Sequence, residues 1–387
     1  MTTRLQGITW GHTRGLLPML ATAQRFREIH PDVQIEWEVR SLQDFSAASP
    51  ATLANNYDLM VIDHPSCGEA AEEGILTPLG DWIDADFLAD QADNSVGSSW
   101  ESYRFGSRQW ALAIDAATPI SGWRPDLLDH LNLSPPTTWD SLLELAKRGL
   151  VAVPGVPIDS LMHFYMFCIG LGEIPLAHSK RVVDEEVGVR ALETQRQIML
   201  LCDPRCFSMN PIAVWEWMTG EDTVAYCPFA YGYSNYSRAG YAKTVLTTGG
   251  LIRLENGIPL RSTLGGAGLA IAAACPHKET AAEYARYVAG QACQTGLYFD
   301  SGGQPGHRAA WTDAEVNRRS NGFFSNTLST MEDAYLRPRF HGYFEFQERA
   351  SLLVYHYLRG GESARACVSA LNQLLPACKR KGPVYCA

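Results

Sequence analysis

An α/β protein, built on mostly parallel sheet flanked by helices, is the fold class this sequence predicts, from three observations. Short apolar strands alternate with helix-period segments from residue 5 to residue 62. The chain of 387 residues is 46% hydrophobic, 10% aromatic and 19% charged, which is enough apolar material to bury large cores. Gly, Pro, Arg or Asp interrupts every hydrophobic run before it reaches the roughly 18 residues that a membrane span needs, so no membrane insertion is expected.

The elements follow in order. Residues 5–10 (LQGITW) read as a strand, and a polar turn carrying His12, Thr13 and Arg14 leads into Leu16, Leu17, Leu20, Ala23 and Phe26, a helical spacing that Pro31 ends. Val33, Ile35, Trp37 and Val39 alternate with polar residues as a half-buried strand does, and the run 57–62 (YDLMVI) stops at Asp63, His64 and Pro65. In such a sheet, ligand chemistry gathers at the carboxyl ends of the strands. Residues 109–114 form another strand, running into Asp115 and a turn at Thr118-Pro119; Thr137 or Thr138 caps the helix that starts near Trp139. Residues 158–200 are mainly helical. Residues 223–227 read as a short buried strand followed by an aromatic loop, 229–236. Gly265-Gly266-Ala267-Gly268 leads into a strand at 269–273, then helices at 278–289 and across 344–375.

Composition and motifs exclude several functions. With 32 Lys plus Arg against 42 Asp plus Glu, the net charge is −10, which argues against nucleic acid as a partner. The sequence holds no phosphate-binding loop, no nucleophile elbow, no H-E-x-x-H and no paired C-x-x-C, and its ten histidines show no metal-ligand spacing, so neither cofactor nor metal is expected. The ten cysteines, Cys67 and Cys386 among them, are scattered as reduced thiols are; Cys202 and Cys206 are close enough in sequence to bridge a loop as an alternative. The first twenty residues have no continuous apolar core and do not read as a secretory signal.

Several segments taken together resemble the extracellular solute-binding proteins of bacterial ABC importers, in the group with sugar-binding members: 26–39 (FREIHPDVQIEWEV), 57–63, 74–83 (GILTPLGDWI), 135–146 (PPTTWDSLLELA), 265–271 with the Ala-rich helix after it, and 337–347 (RPRFHGYFEFQ). Each is weak alone; their order along nearly the whole chain carries the resemblance. It implies a two-lobed periplasmic-binding-protein-like fold of type II with a ligand cleft between the lobes. The first lobe would comprise residues 1–113 and 265–312, the second 118–261 and 316–387, with hinge crossings near 114–118, 261–264 and 310–313. It also implies a small-molecule ligand, a membrane ABC permease as partner, and no catalysis; a monomer is expected. The expected location is periplasmic or cell-envelope if a leader was removed, and cytoplasmic if Met1 is the native start.

Candidate ligand contacts each have a structural alternative. Trp10, His12, Thr13 and Arg14 sit where free N–H groups and the helix dipole favour an anionic or electron-rich group, or else Trp10 fills core and Arg14 pairs with a surface carboxylate. Asp63 and His64 end a strand and suit a polar ligand, or cap the next helix. Asp115 binds hydroxyls or fixes the hinge turn. Tyr231, Tyr233, Asn235 and Tyr236 offer rings and polar tips for stacking on a sugar, with some rings in core. Gly265 and Gly266 let backbone approach a ligand or pack tightly; Ser301, Gly302, Gly303 and Gln304 make a similar case. Arg337 reads as an interlobe ion pair or a ligand contact. The expected ligand is a carbohydrate, sugar acid or related organic acid. The alternative is a signal-less cytoplasmic enzyme or sensor on the same fold, thiaminase-like, with Cys67 as nucleophile near His64 and Glu69.

Overall fold

Strand β1 (Thr3–Trp10) is joined by helix α1 (Thr13–Ile29) to β2 (Val33–Arg40), and the two strands pair in parallel along their full length in the computed structural model, which describes residues 2–47, 50–178, 180–254, 257–361 and 363–379. The α1 face that carries Gly15, Met19, Thr22, Ala23 and Phe26 at turn spacing is the face it buries. Strand β3 (Leu59–Ile62) pairs in parallel on the other side of β1 and is followed by helix α2 (Cys67–Glu72). Strand β4 (Ala111–Ala117) completes this sheet at its far edge.

One residue, Thr118, separates β4 from β5 (Pro119–Trp123), which belongs to a second sheet. Helices α3 (Pro157–Gly170) and α4 (Glu185–Leu201) follow, then β6 (Tyr226–Tyr231) and β7 (Thr247–Gly249), giving a three-stranded sheet of order β6-β5-β7. The chain then returns: β8 (Gly265–Ile271) inserts between β3 and β4, so the first sheet runs β2-β1-β3-β8-β4. Helix α5 (Lys278–Ala289) covers it, and the chain ends on helices α6 (Tyr343–Leu358) and α7 (Ala364–Cys378), which pack into the core around α3.

The molecule therefore has two lobes, each an α/β layer with its own core. Leu5, Phe26, Leu59, Leu112, Leu269 and Tyr284 mark the first core, and Phe164, Phe167, Leu192, Trp215, Phe229 and Val354 the second. A third cluster, with Ala116, Ile120, Leu264, Trp311, Phe323 and Phe324, lies where the strands cross between sheets. The crossing segments are tied side by side there: the Thr118 hydroxyl donates to Thr263 O at 3.0 Å and the Ser262 hydroxyl to Pro119 O at 2.6 Å.

Two sequence expectations are corrected. Mostly parallel pairing holds for β2-β1-β3, whereas β8 is antiparallel to both its neighbours and the second sheet is antiparallel throughout. A strand that re-enters from the other lobe arrives at the opposite end of the sheet and must run backwards. The aromatic segment is also less loop-like than its composition suggested. Phe229, Ala230 and Tyr231 belong to β6, because alternate rings fit the pleat, and only Ser234–Ser237 form a short helical turn. The nine described cysteines, Cys202 and Cys206 included, are buried and form no disulfide among the described residues; Cys386 lies outside the described residues.

Candidate functional site

The carboxyl ends of β1 and β3, the β4 carboxylate Asp115 and the amino end of α1 converge on the seam, facing residues 231–241 and 337 of the second lobe. His12 is the N-cap of α1: its Nδ1 accepts the Arg14 backbone N–H at 3.0 Å. That cap turns the Arg14 side chain inward to 3% exposure. Its Nε and Nη2 reach the two Asp115 oxygens at 2.8 and 2.5 Å, and its Nη1 donates to Gly232 O at 2.8 Å in the second lobe. Burial opposes both charges. Asp115 nonetheless holds the guanidinium above its ordinary value. The carboxyl itself is pushed up by burial and pulled down by Arg14; the two-pronged contact favours the charged pair.

Across the seam, the Arg14 guanidinium lies 4.6 Å from the centre of the Tyr233 ring, and His12 meets that ring edge-on at 4.8 Å. The Thr13 hydroxyl is 2.6 Å from the Tyr241 hydroxyl, and Asn235 Nδ2 donates to Gly302 O at 3.1 Å. His12 is held neutral, down at about 4, first by burial and then by Arg14. Burial likewise holds Tyr231 and Tyr233 at about 12, so both phenols keep their protons.

A second bridge lies along the same seam. Arg337 Nη2 donates to both Asp63 oxygens at 2.9 Å, while its Nη1 donates to Gln347 Oε1 on α6. Asp63 also caps the turn after β3, accepting the His64 N–H at 2.9 Å. Burial alone would raise the Asp63 carboxyl; Arg337 and His64 outweigh it and hold it at about 2. His64 is kept at about 4 by burial and then by Arg337; its Nδ1 lies 3.3 Å from Asp63 Oδ1 without hydrogen-bond alignment, and neither ring nitrogen has a formed hydrogen bond among the described residues. Between the two bridges stands Tyr231, whose hydroxyl is 3.1 Å from Thr263 Oγ1.

Other candidates lie elsewhere. Trp10 packs in the first core, its rings 4.9 Å from Phe45 and against Gly15. Gly265 and Gly266 are inside β8. A Cβ on Gly265 would strike the Tyr231 ring, and Gly266, at φ 115°, has the β4 backbone in the same place, so sheet packing accounts for both. Ser301 is half-buried in a turn, its N–H bonded to Leu297 O. Tyr236 is core of the second lobe. The Cys67 thiol donates to Tyr103 O at 3.5 Å, and burial pushes it up to about 12. At a six-residue helix buried in the lobe, desolvation outweighs any depression a helix start gives a thiol.

Asp159 was missed by sequence reasoning. Eleven of the fourteen α3 residues are buried, and Asp159 in its first turn is among them, with no ion pair or side-chain hydrogen bond among the described residues. Burial raises its carboxyl to about 8, and its charge acts on both Tyr231 and Tyr233. An acid opening an otherwise apolar helix after Val-Pro-Gly-Val-Pro was the available signal. Gln304, a candidate alongside Ser301, accepts the Ser234 N–H and donates to Ala116 O, stitching the seam. A separate cavity of about 360 Å³, lined by Trp139, Leu171, Arg190, Gln197 and Leu254, lies in the second lobe and holds none of these residues.

This constellation offers hydrogen-bonding side chains, neutral imidazoles and aromatic faces, all with their charges matched. Residues 11–167 match the family model described as bacterial extracellular solute-binding protein. No protein of curated function matches the chain by sequence. Among solved structures, maltose-bound MalE3 of T. maritima is similar at a TM-score of 0.85 and 18% identity, covering 97% of this chain and 100% of that one. A ribitol complex of an ABC transporter solute-binding protein from Agrobacterium radiobacter gives 0.82 and 19%, covering 97% and 98%. The GacH receptor of Streptomyces glaucescens, solved unliganded and with acarbose, gives 0.80 and 15%, covering 98% and 99%. The fold is thus the two-lobed solute-binding fold of type II over essentially the whole chain.

Proposed function

We propose, from the premise that this chain carries solute-binding family sequence over residues 11–167 and the solute-binding fold throughout, that it captures a small polyhydroxylated solute between its lobes and presents the closed form to a membrane ABC permease. One observation carries the reading: two buried arginines, Arg14 and Arg337, each bind a carboxylate of the first lobe or its hinge and a second-lobe acceptor at once, so the polar groups of the seam meet only when the lobes close. A solute that touches both lobes biases that equilibrium; one that touches a single lobe does not. The similar structures hold maltose, ribitol and acarbose, sugars and a polyol among them.

A neutral solute fits best. Arg14 is matched by Asp115, Arg337 by Asp63, and His12 and His64 stay uncharged at pH 7, which leaves no free positive charge among these groups for a carboxylate or phosphate. We assign solute contacts to His12, Asp63, His64, Asp159, Tyr231, Tyr233 and Asn235. The hinge crossings are assigned near 114–118, 261–264 and 310–313, supported by the single residue between β4 and β5 and by the Thr118–Thr263 bond. The first lobe is then 1–113 with 265–312 and the second 118–261 with 316–387. The family match supports a periplasmic or cell-envelope location.

A thermal-shift screen over neutral sugars, polyols, sugar acids and small carboxylates tests this. A true ligand at about 100 times its dissociation constant adds about 2.7 kcal/mol. Stabilisation by a neutral sugar or polyol, with a smaller radius of gyration in solution scattering, is the expected result. Stabilisation by carboxylates alone would overturn the neutral assignment; a stabilising solute that leaves the scattering profile unchanged would overturn closure.

A further inference from the structure

We propose that Glu69, Glu73 and His341 form a site for a divalent transition-metal ion of the zinc class that clamps the two lobes together. Their ligating atoms all lie within 4.8 Å of one another. Glu69 and Glu73 are one helical turn apart, on α2 and the residue that caps it, in the first lobe. His341 comes from the segment that enters α6, where Gly342 at φ 89° makes the turn, so the ligands span the seam.

The histidine is oriented as a ligand. Its Nδ1 lies 3.1 Å from Glu72 Oε2, a carboxylate contact that fixes the proton on Nδ1 and leaves the Nε2 lone pair free. Nε2 is shielded from solvent, has no hydrogen bond among the described residues and lies 3.7 Å from Glu73 Oε1. A tetrahedral zinc with bonds of about 2.0–2.1 Å holds its ligand atoms roughly 3.4 Å apart, so side-chain rotations of Glu69 and the exposed Glu73 would bring the set together. Imidazole with two carboxylates selects zinc and its neighbours over calcium or magnesium, which take oxygen ligands only, and leaves a fourth position for water. Sequence spacing could not show this, because two ligands are adjacent on a helix and the third comes from the far end of the chain. The proposal stands apart from the solute assignment, since it concerns another part of the seam and its measurement needs no solute.

Calorimetric titration of zinc chloride into the chelator-treated, untagged full chain tests it. The expected result is one site per chain, with affinity at least tenfold weaker in both His341→Ala and Glu73→Gln, and a zinc-dependent rise in melting temperature that both variants lose. Glu73→Gln changes an exposed side chain and serves if His341→Ala folds poorly. No one-to-one binding at micromolar zinc, or equal binding by wild type and Glu73→Gln, would overturn the site and leave His341 as a structural contact between Glu72 and Glu73.

Discussion

Arg337 Nη2 sits 2.9 Å from each oxygen of Asp63, and the two residues belong to opposite lobes: Asp63 ends β3, and Arg337 is anchored by Gln347 of α6. Both side chains are more than nine-tenths buried, so neither charge has water to fall back on. The pair ties the two lobes together at this point of the seam.

Removing one partner therefore costs more than the contact itself. Arg337→Ala strands a buried carboxylate and is expected to lower stability by about 3–5 kcal/mol in urea unfolding. The double variant Asp63→Asn with Arg337→Met should recover most of that loss. A single-variant loss below about 1 kcal/mol would show that the pair opens to solvent.

Stability should fall on mild acidification. His12 and His64 titrate near 4 and His163 near 3, against 6.5 when unfolded, burial being the main cause for each. The unfolded chain takes up protons first, so the contribution present above pH 6.5 is lost as pH falls through 4, at up to ~1 kcal/mol per pH unit for each histidine. Melting temperatures across pH 4–7 check this, and His64→Gln should make the slope shallower.

Asp159 has the opposite sign. Burial alone holds its carboxyl near 8 against an ordinary 3.8, so the folded chain keeps a proton that the unfolded chain releases, and stability drains away as pH rises from 4 to 8. Asp159→Asn removes that loss and should be more stable than wild type at pH 8, by on the order of 2 kcal/mol. Equal denaturation midpoints at pH 8 would mean that the carboxylate has a partner.

Cys67 should resist alkylation. With no exposure, a carbonyl partner and a thiol pushed up to about 12, it offers almost no thiolate at neutral pH. Intact-mass analysis after iodoacetamide at pH 7 should find Cys67 unmodified in the folded protein. Rapid, selective labelling there would revive the cysteine-enzyme alternative.

Much of the fold was legible because local rules dominate it. β1, α1, β2 and β3 follow hydrophobic period, and the α5 bounds fall where its Ala and Tyr spacing put them. Thr138 caps its helix through its hydroxyl, as one of the two threonines had to. The site was legible only by neighbourhood. His12, Arg14, Asp63 and His64, which meet the second lobe at the seam, were named because strand ends and helix starts are recognisable; Trp10 shares that neighbourhood and points into core, since a single residue at a strand end gives no sign of which face it takes.

By itself, then, the order of residues determined the alternation of strands and helices, the absence of the common catalytic motifs and which short stretches carry polar chemistry, since these depend on contacts within a turn or a strand. Only the tertiary structure decided that β8 runs backwards between β3 and β4, that Arg14 and Arg337 each reach across the seam, that Asp159 is buried with no partner among the described residues, and that His341 faces Glu69 and Glu73. Those facts rest on burial and on pairings between residues far apart in the chain, whose energies depend on desolvation and distance, and no local pattern encodes either.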